Sequence, residues 1–312
     1  MKKIYIFTKL FNVNDRMTSL ELCKVIDQWI EEGSIGKKYA PCFLPYRDSN
    51  ELVKSAANQT LEIFQKDCEC IRNAAVLVGY LDGPIYDSGI GFELGYAYTF
   101  GIPIVILTSD YFYIKNNTNK YSVSCIASQI AHVIHIREAN LDVNNYEQGL
   151  QNIKKQMFDR LQKQLNVALA MNNRDRQNKY MEKDIDLLID PAFLKYEGTK
   201  NAISVCIEFL HEKGKKVVVL PEGHCSDVKQ IEIYLKRSRA VCIYGENFDF
   251  SVDSAILQGM AYGMKIEIWL YFSYEEELYK DDDFILNKNP MIFYSAKKHL
   301  HTISQVIDNV VN

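Results

Sequence analysis

Apolar residues in the first half of the chain form short, nearly continuous runs separated by longer stretches with helical spacing. The runs at 4–8, 74–80 and 102–109 are rich in β-branched residues and predict buried strands. Apolar positions recur every three or four residues over 18–31 and 51–72, which predicts helices. Strands that are apolar on both faces and alternate with helices are typical of a parallel sheet covered on both sides.

Glycine and proline indicate where several of these elements end. Gly33 follows the first predicted helix, and Gly101 follows another predicted over 90–100, in the position that commonly ends a helix. Pro41 lies in the extended run 39–45 and has no N–H for a sheet hydrogen bond. We therefore expect that run at the edge of a sheet rather than at its centre.

The second half repeats the order of the first after a long amphipathic helix predicted over 146–171 and a polar stretch at 171–184. Four segments match in pattern and order at an offset of about 160–180 residues: 186–190 with 4–8, 215–223 with 37–47, 236–246 with 70–80, and 254–270 with 91–107. We therefore predict two α/β parallel-sheet domains in tandem, with a first domain at 1–145, a connecting helix and linker at 146–182, and a second copy at 183–312.

The composition is that of a packed protein, with 47% apolar and 24% charged residues. A net charge of −4 gives no support for binding nucleic acid or an anionic membrane. No run of about 20 uncharged apolar residues predicts a membrane span. The basic and apolar start is interrupted by Lys9 and lacks a small-residue cleavage site, so we interpret it as a first strand and not as a signal peptide.

Cysteine usage favours a cytoplasmic protein with free thiols. Four of the eight cysteines lie within apolar runs, as buried thiols do: Cys42, Cys125, Cys206 and Cys242. Cys68 and Cys70 form a close pair, but no second pair or histidine cluster lies at the spacing of a zinc site. We therefore expect a cytoplasmic location and no metal.

The helix predicted over 90–100 carries one acid, Glu93, among apolar and small residues. A buried carboxylate must be paired, protonated or placed in a cavity, because ionised groups are costly to remove from water. Gly91 and Gly95 each cost about 1 kcal/mol relative to alanine inside a helix, which suggests that something approaches the backbone closely. Ligands bind open α/β sheets at this edge, so Glu93 is either an ion-paired structural residue or a site residue.

Two further acids fit a site with Glu93. Asp87 lies in the loop before the helix and either caps it or faces the same cavity. Asp67 lies in the preceding helix and is either a surface residue or a third site acid. Two carboxylates in different environments suit acid/base and nucleophilic work at a glycosidic carbon.

The segment Asp87-Ser88-Gly89-Ile90-Gly91-Phe92-Glu93-Leu94-Gly95-Tyr96-Ala97 resembles the signature of nucleoside 2-deoxyribosyltransferases. Ile4-Tyr5-Ile6 and Leu10-Phe11 resemble that family's first strand and aromatic loop, and the resemblance extends from residue 3 to about residue 140. It implies a flavodoxin-like (Rossmann-like) fold with a five-stranded parallel sheet in each half. It also implies a role in nucleotide salvage, with nucleosides and free bases as substrates and no organic cofactor or metal.

The resemblance assigns roles to single residues. Glu93 would attack C1′ of a 2′-deoxynucleoside and form a covalent ester. Asp87, with Asp67, would protonate or hold the leaving base. The candidate substrate-binding residues are Tyr5, Phe11, Ser88, Gly89 and Gly91. A neighbouring subunit's asparagine often completes the site in that family, and Asn117 or Asn119 lies in a comparable region.

Two other functions stay open at this point. Related enzymes hydrolyse nucleoside 5′-monophosphates with the same glutamate, and Ser88 is placed to contact a phosphate or to cap the helix. A sensor that binds a nucleotide derivative without turnover is the third possibility. The sequence leaves open the base preference, the sugar, the need for a phosphate and the oligomeric state.

The second copy lacks the nucleophile. Aligning Gly259 on Gly95 places Leu257 at the position of Glu93, and aligning Gly263 on Gly101 places Ala255 there. The match of 236–246 with 70–80 places Ile233 at the position of Asp67, and a shift of one residue would restore an acid there, Glu232. Asp249 and Asp253 are the candidates for the position of Asp87, but none of these acids replaces the nucleophile. We therefore predict a degenerate, non-catalytic copy that packs on the first as a subunit packs in a homodimer, giving a pseudo-dimer with one working site.

Overall fold

A computed structural model describes most of the chain, in the ranges 1–9, 13–49, 57–82, 87–109, 114–115, 120–121, 123–136, 145–171, 181–195, 197–221, 227–245, 251–272 and 289–312. Among the residues singled out above, Phe11, Asn117 and Asn119 lie outside these ranges. The described residues form two five-stranded sheets, each with all of its strands parallel and with helices on its faces.

The first sheet has five strands in the order β2-β1-β3-β4-β5: β1 Lys3–Thr8, β2 Ala40–Phe43, β3 Val76–Tyr80, β4 Ile104–Thr108 and β5 His132–His135. Its helices are α1 Val13–Glu32, α2 Pro45–Asp48, α3 Ala57–Arg72, α4 Ser88–Thr99, α5 Cys125–Ile130 and α6 Tyr146–Ala170. Two short strands, Ile114–Lys115 and Lys120–Tyr121, pair antiparallel. This strand order is the flavodoxin-like one.

The second sheet repeats the order as β7-β6-β8-β9-β10: β6 Ile185–Ile189, β7 Val217–Val219, β8 Ser238–Gly245, β9 Glu267–Phe272 and β10 Lys298–Leu300. A 3₁₀ helix at Pro191–Leu194 follows β6. The helices are α7 Glu197–Glu212, α8 Val228–Arg237, α9 Val252–Gly263, α10 Pro290–Ser295 and α11 Ile303–Val311. The chain therefore contains two flavodoxin-like domains in tandem, as predicted.

The local signals agree with the observed boundaries. Gly33 and Gly101 have positive φ angles of 82° and 65°, which glycine adopts without strain; Gly33 follows α1 directly, and Gly101 follows Phe100, the C-cap of α4. Pro41 lies in β2, which is an edge strand as expected. The first helix begins at Val13, five residues before the start of the predicted one, because its first turns are polar and exposed and carry no apolar periodicity.

Three apolar clusters organise the protein. One lies between β1, β3, β4 and the helices α1 and α6, and a second lies between the second sheet and α7 and α11. The third, largest cluster contains residues of both halves and includes the helices α3, α4, α8 and α9. The two sheets therefore share a central core, and α6 covers the outer face of the first sheet.

The helices α4 and α9 form the main contact between the halves. Glycines face the partner backbone on both sides: a Cβ at Gly95 would lie 2.0 Å from the carbonyl oxygen of Ile256, and one at Gly259 would lie 2.0 Å from that of Phe92. Such distances are shorter than any non-bonded contact between carbon and oxygen, so only glycine permits the two helices to approach this closely. Each helix has 12 residues, and the two occupy equivalent places in their sheets.

Two further observations concern membrane-spanning helices and thiols. None of the helices in the described ranges is long and apolar enough to cross a membrane. The cysteines expected to be buried thiols, Cys42, Cys125, Cys206 and Cys242, are all buried and none forms a disulfide, which confirms that prediction.

Candidate functional site

Glu93 lies in the middle of α4, where every residue is buried, and is itself 7% exposed. The Tyr5 hydroxyl donates a 2.7 Å hydrogen bond to Glu93 Oε1. A hydrogen bond to an ionised oxygen is among the stronger ones in proteins. The structure therefore brings together two residues that the sequence proposed for one site, although 88 positions separate them.

Tyr5 is positioned by the sheet. It lies in β1 between β2 and β3, is fully buried, and points to the same side of the sheet as the central core. Its ring stacks on Phe43 of β2, with centroids 5.4 Å apart and planes 27° apart. This packing restricts the ring to one orientation, so the hydrogen bond to Glu93 forms with little further loss of side-chain conformational entropy.

Asp67 is a buried acid on α3, 2% exposed, and not the surface residue that was its alternative. The Ser49 hydroxyl donates to Asp67 Oδ1 at 2.6 Å. Burial raises the pKa of the adjacent Cys68 thiol, and the charges of Asp67 and Glu93 raise it further. Both carboxylates therefore disfavour ionisation of the same thiol, and a place for Asp67 in one site with Glu93 stays a prediction.

Asp87 is the N-cap of α4, so the capping role left open by the sequence is present. Its Oδ1 accepts hydrogen bonds from the Gly89 N–H at 2.8 Å and from the Asn289 side-chain amide at 2.7 Å. Asn289 belongs to the second half, where it caps α10. Glu93 lies six residues further along α4, about 9 Å in axial rise, and its side chain tilts back toward this end. The capping role of Asp87 is observed, and its place in one cavity with Glu93 stays a prediction.

The close approach that the glycines indicated is made by the second half. A Cβ at Gly91 would lie 2.7 Å from that of Ala255, and one at Gly89 would lie 2.6 Å from the Asn289 amide nitrogen. Contacts of Gly89 and Gly91 with a substrate stay predictions. Ser88 begins α4 and is 7% exposed, and its proposed phosphate contact is likewise untested.

The second half has apolar residues at the equivalent positions. Matching the first residue of α4, Ser88, with the first residue of α9, Val252, also matches the last residues of the two helices. This sequence offset places Leu257 at the position of Glu93, which is the first of the two registers considered above. The same offset aligns buried residues of α3 and α8, and Ile231, 2% exposed, then matches Asp67. Ile233 is 44% exposed, so its assignment to the buried position of Asp67 was wrong.

Three contacts were not anticipated: Ser49 with Asp67, Phe43 with Tyr5, and Asn289 with Asp87. The Asn-Pro pair at 289–290 indicates the start of a helix, but nothing local indicates which acid its amide reaches. Each contact joins segments that are distant in sequence or lie in different halves, so only the folded chain shows it.

The model of the nucleoside 2-deoxyribosyltransferase family matches residues 21–151, a stretch that includes Asp67, Asp87 and Glu93. Tyr5 lies before this stretch, and the second half lies after it. A search of curated proteins found no match to the chain. Together with the flavodoxin-like strand order and the buried glutamate, the match supports the nucleoside 2-deoxyribosyltransferase family for the N-terminal half of this chain.

Proposed function

We propose that the protein cleaves the N-glycosidic bond of 2′-deoxynucleosides and transfers the sugar to another base. The observation that carries this proposal is the buried carboxylate of Glu93, held by the Tyr5 hydroxyl at 2.7 Å on a helix whose N-cap is a second acid, Asp87. A carboxylate in this position is oriented and poorly hydrated, as a nucleophile for an anomeric carbon must be.

The reaction has two displacements. In the first, a Glu93 oxygen attacks C1′, the C1′–N bond breaks, and the base leaves with the bonding electrons while Asp87 or Asp67 supplies a proton. In the second, a nitrogen lone pair of the incoming base attacks C1′, the ester C–O bond breaks and restores the Glu93 carboxylate, and the N–H proton of the incoming base returns to the aspartate that supplied the first proton. Neither displacement involves oxidation or reduction.

Tyr5 supports both displacements as a positioning residue. Its hydroxyl bonds to Glu93 Oε1 and fixes the plane of the carboxylate, because the Tyr5 ring is itself held by Phe43. When the ester forms, the charge on Glu93 disappears, and when it breaks, the charge returns to an oxygen that already has a donor. The increase in reaction rate comes from the orientation of the Glu93 carboxylate, which is already present before the substrate binds.

The second half contributes to the site through Asn289. The family resemblance implies an asparagine from a neighbouring subunit, and Asn289 supports the view that the second copy takes that subunit's place within one chain. Together with the packing of Gly95 and Gly259 across α4 and α9, this contact supports an intramolecular pseudo-dimer with one working site, in a chain that arose by duplication.

The substrate test is incubation of the protein with deoxyinosine and free adenine. Formation of deoxyadenosine supports transfer, and a role in exchanging bases for nucleotide salvage in the cytoplasm. Release of free deoxyribose alone would contradict transfer and favour an N-glycoside hydrolase; the same assay with deoxyinosine 5′-monophosphate tests for a nucleotide N-glycosidase. Saturable binding without product would favour a sensor.

The nucleophile test compares Glu93→Gln with Glu69→Gln, an equally small change at an exposed position of α3. We expect Glu93→Gln to lower transfer by about three orders of magnitude or more, and Glu69→Gln to leave it unchanged. Acid quenching of the wild-type protein during turnover, followed by peptide mass spectrometry, should find a deoxyribosyl adduct on the peptide that contains Glu93. A near-normal rate for Glu93→Gln would remove Glu93 as the nucleophile.

A further inference from the structure

The second half contains a cavity of about 460 Å³ that the proposed reaction does not use. It lies where β6 and β7 end, beside the start of α9, and Asp190, Leu220, Ile231, Asp253 and Leu257 line it. This is the edge at which open parallel sheets bind ligands, and the volume is in the range of small-molecule sites, about 300–1,000 Å³.

The cavity occupies the place in the second half that Glu93 and Asp67 occupy in the first. Leu257 and Ile231, which line it, are the residues that align with those two acids. The second half has thus exchanged the acids for apolar side chains while a cavity remains. A space lined by leucine and isoleucine excludes displacement chemistry but accommodates the flat face of a ring.

The first half supplies part of the wall. Cys125 and Ile126 of α5 line the cavity, and Asp253 Oδ1 accepts a hydrogen bond from the Ile126 N–H at 3.3 Å. This reciprocates the contact of Asn289 with Asp87, in which the second half completes the edge of the first half's site. Residues of both halves therefore line the cavity, as is common for ligand sites between domains.

The polar groups of the cavity are few and mostly acceptors. Asp190 is 1% exposed, and its oxygens accept N–H groups of Ala192 at 3.0 Å and Tyr244 at 3.2 Å. Burial raises the pKa of Asp190, and these bonds together with one from the Ser254 hydroxyl oppose the rise. Asp253 adds a second carboxylate, and Lys195 is the one cation among the described lining residues. Because the Asp190 oxygens are already bonded within the protein, the half-buried Asp253 is the acid that a ligand meets, and its carboxylate favours a ligand with N–H donors over a phosphate.

We propose that this cavity is a second, non-catalytic binding site for a free nucleobase or its unphosphorylated nucleoside. The ring lies against Leu257 and Ile231, and an exocyclic amine donates to Asp253. The choice of a base rests on the proposed function, whereas the cavity and its acceptors do not.

The experiment is equilibrium dialysis of the full chain with adenine and with cytosine, which carry exocyclic amines and have no glycosidic bond to cleave. We expect about two equivalents of at least one base to bind per chain. Leu194→Trp, at a half-buried lining residue, and Ile126→Trp, on the facing helix, should each reduce this to about one. Val205→Trp, at a position 66% exposed on α7, is the matched control and should keep both.

Three results would overturn the proposal: a single equivalent in the wild type, no loss in either cavity variant, or displacement of the second equivalent by deoxyadenosine 5′-monophosphate as effectively as by adenine. Parallel transfer assays separate the two proposals. Loss of one equivalent in Leu194→Trp, in a chain that shows no transfer, keeps the cavity site and removes the proposed function. If the wild-type protein catalyses transfer but binds a single equivalent of base, the proposed function is kept and the cavity site is removed.

Discussion

Replacing Gly259 by alanine tests the packing of the two halves. The added Cβ would lie 2.0 Å from the Phe92 carbonyl oxygen and 2.8 Å from the Tyr96 backbone nitrogen. Both are backbone atoms of α4, so no side chain can rotate away. Since comfortable carbon contacts begin near 3.5 Å, the helices must separate by about 1–1.5 Å and lose part of their dispersion energy along the contact.

Two effects of opposite sign decide the magnitude. Alanine is favoured over glycine in a helix by about 1 kcal/mol. Overpacking a tight core generally costs about 1–3 kcal/mol in measured stability, and here the whole α4–α9 contact opens. We therefore expect Gly259→Ala to lower the free energy of unfolding by about 1–3 kcal/mol net.

The matched control is Gly198→Ala on α7, where a Cβ would meet nothing within 4 Å. Only the helix preference acts there, so we expect a gain of about 0.4–1 kcal/mol. Urea denaturation of the three proteins measures the difference, and the two tryptophans, Trp29 in α1 and Trp269 in β9, report one half each. If Gly259→Ala proves as stable as Gly198→Ala, α4 and α9 do not pack as closely as the structure places them, and the description of the core shared by the two halves is wrong.

Three further predictions concern single side chains. Tyr5→Phe removes the hydroxyl that bonds to Glu93 and should lower kcat by about 10–100-fold, which steady-state transfer rates at unchanged thermal stability would show. Asn289→Ala should lower transfer by about tenfold because Asp87 loses a donor, and an unchanged rate would mean that the second half does not complete the site. The Arg237 and Lys216 side chains bonded to Asp184 hold its pKa below the ordinary value. The stability that Asp184 contributes is therefore present above its unfolded pKa of about 3.9 and is lost as the pH falls further, so the difference in stability between wild type and Asp184→Asn should shrink between pH 5 and pH 3.

Much of the fold was predictable from the sequence because the signals are local. Apolar runs such as 74–80 and 102–109 are buried on both faces of a parallel sheet, so their composition alone identifies them. The duplicated order was visible for the same reason, since each half repeats these runs. The buried acid in α4 was also visible, because a single carboxylate in an apolar helix is anomalous wherever the helix packs.

The partners of the site residues were not predictable. Tyr5 meets Glu93, Ser49 meets Asp67, and Asn289 meets Asp87 only because parallel strands and facing helices bring distant segments together. The glycines of α4 illustrate the limit well. The low helix propensity of glycine indicated that another group approaches α4 closely, and that group is the backbone of α9. A local sequence pattern does not show which distant segment packs against it.

The sequence by itself thus determined the elements, the repeat and the presence of one acid in an otherwise apolar helix, because these depend on side-chain polarity along a few consecutive residues. The tertiary structure alone decided what surrounds that acid, which residue of the second half aligns with it, and where a cavity remains. Those outcomes depend on packing between distant segments, such as those of Asp87 and Asn289, which are 202 positions apart, and packing is a property of the folded chain.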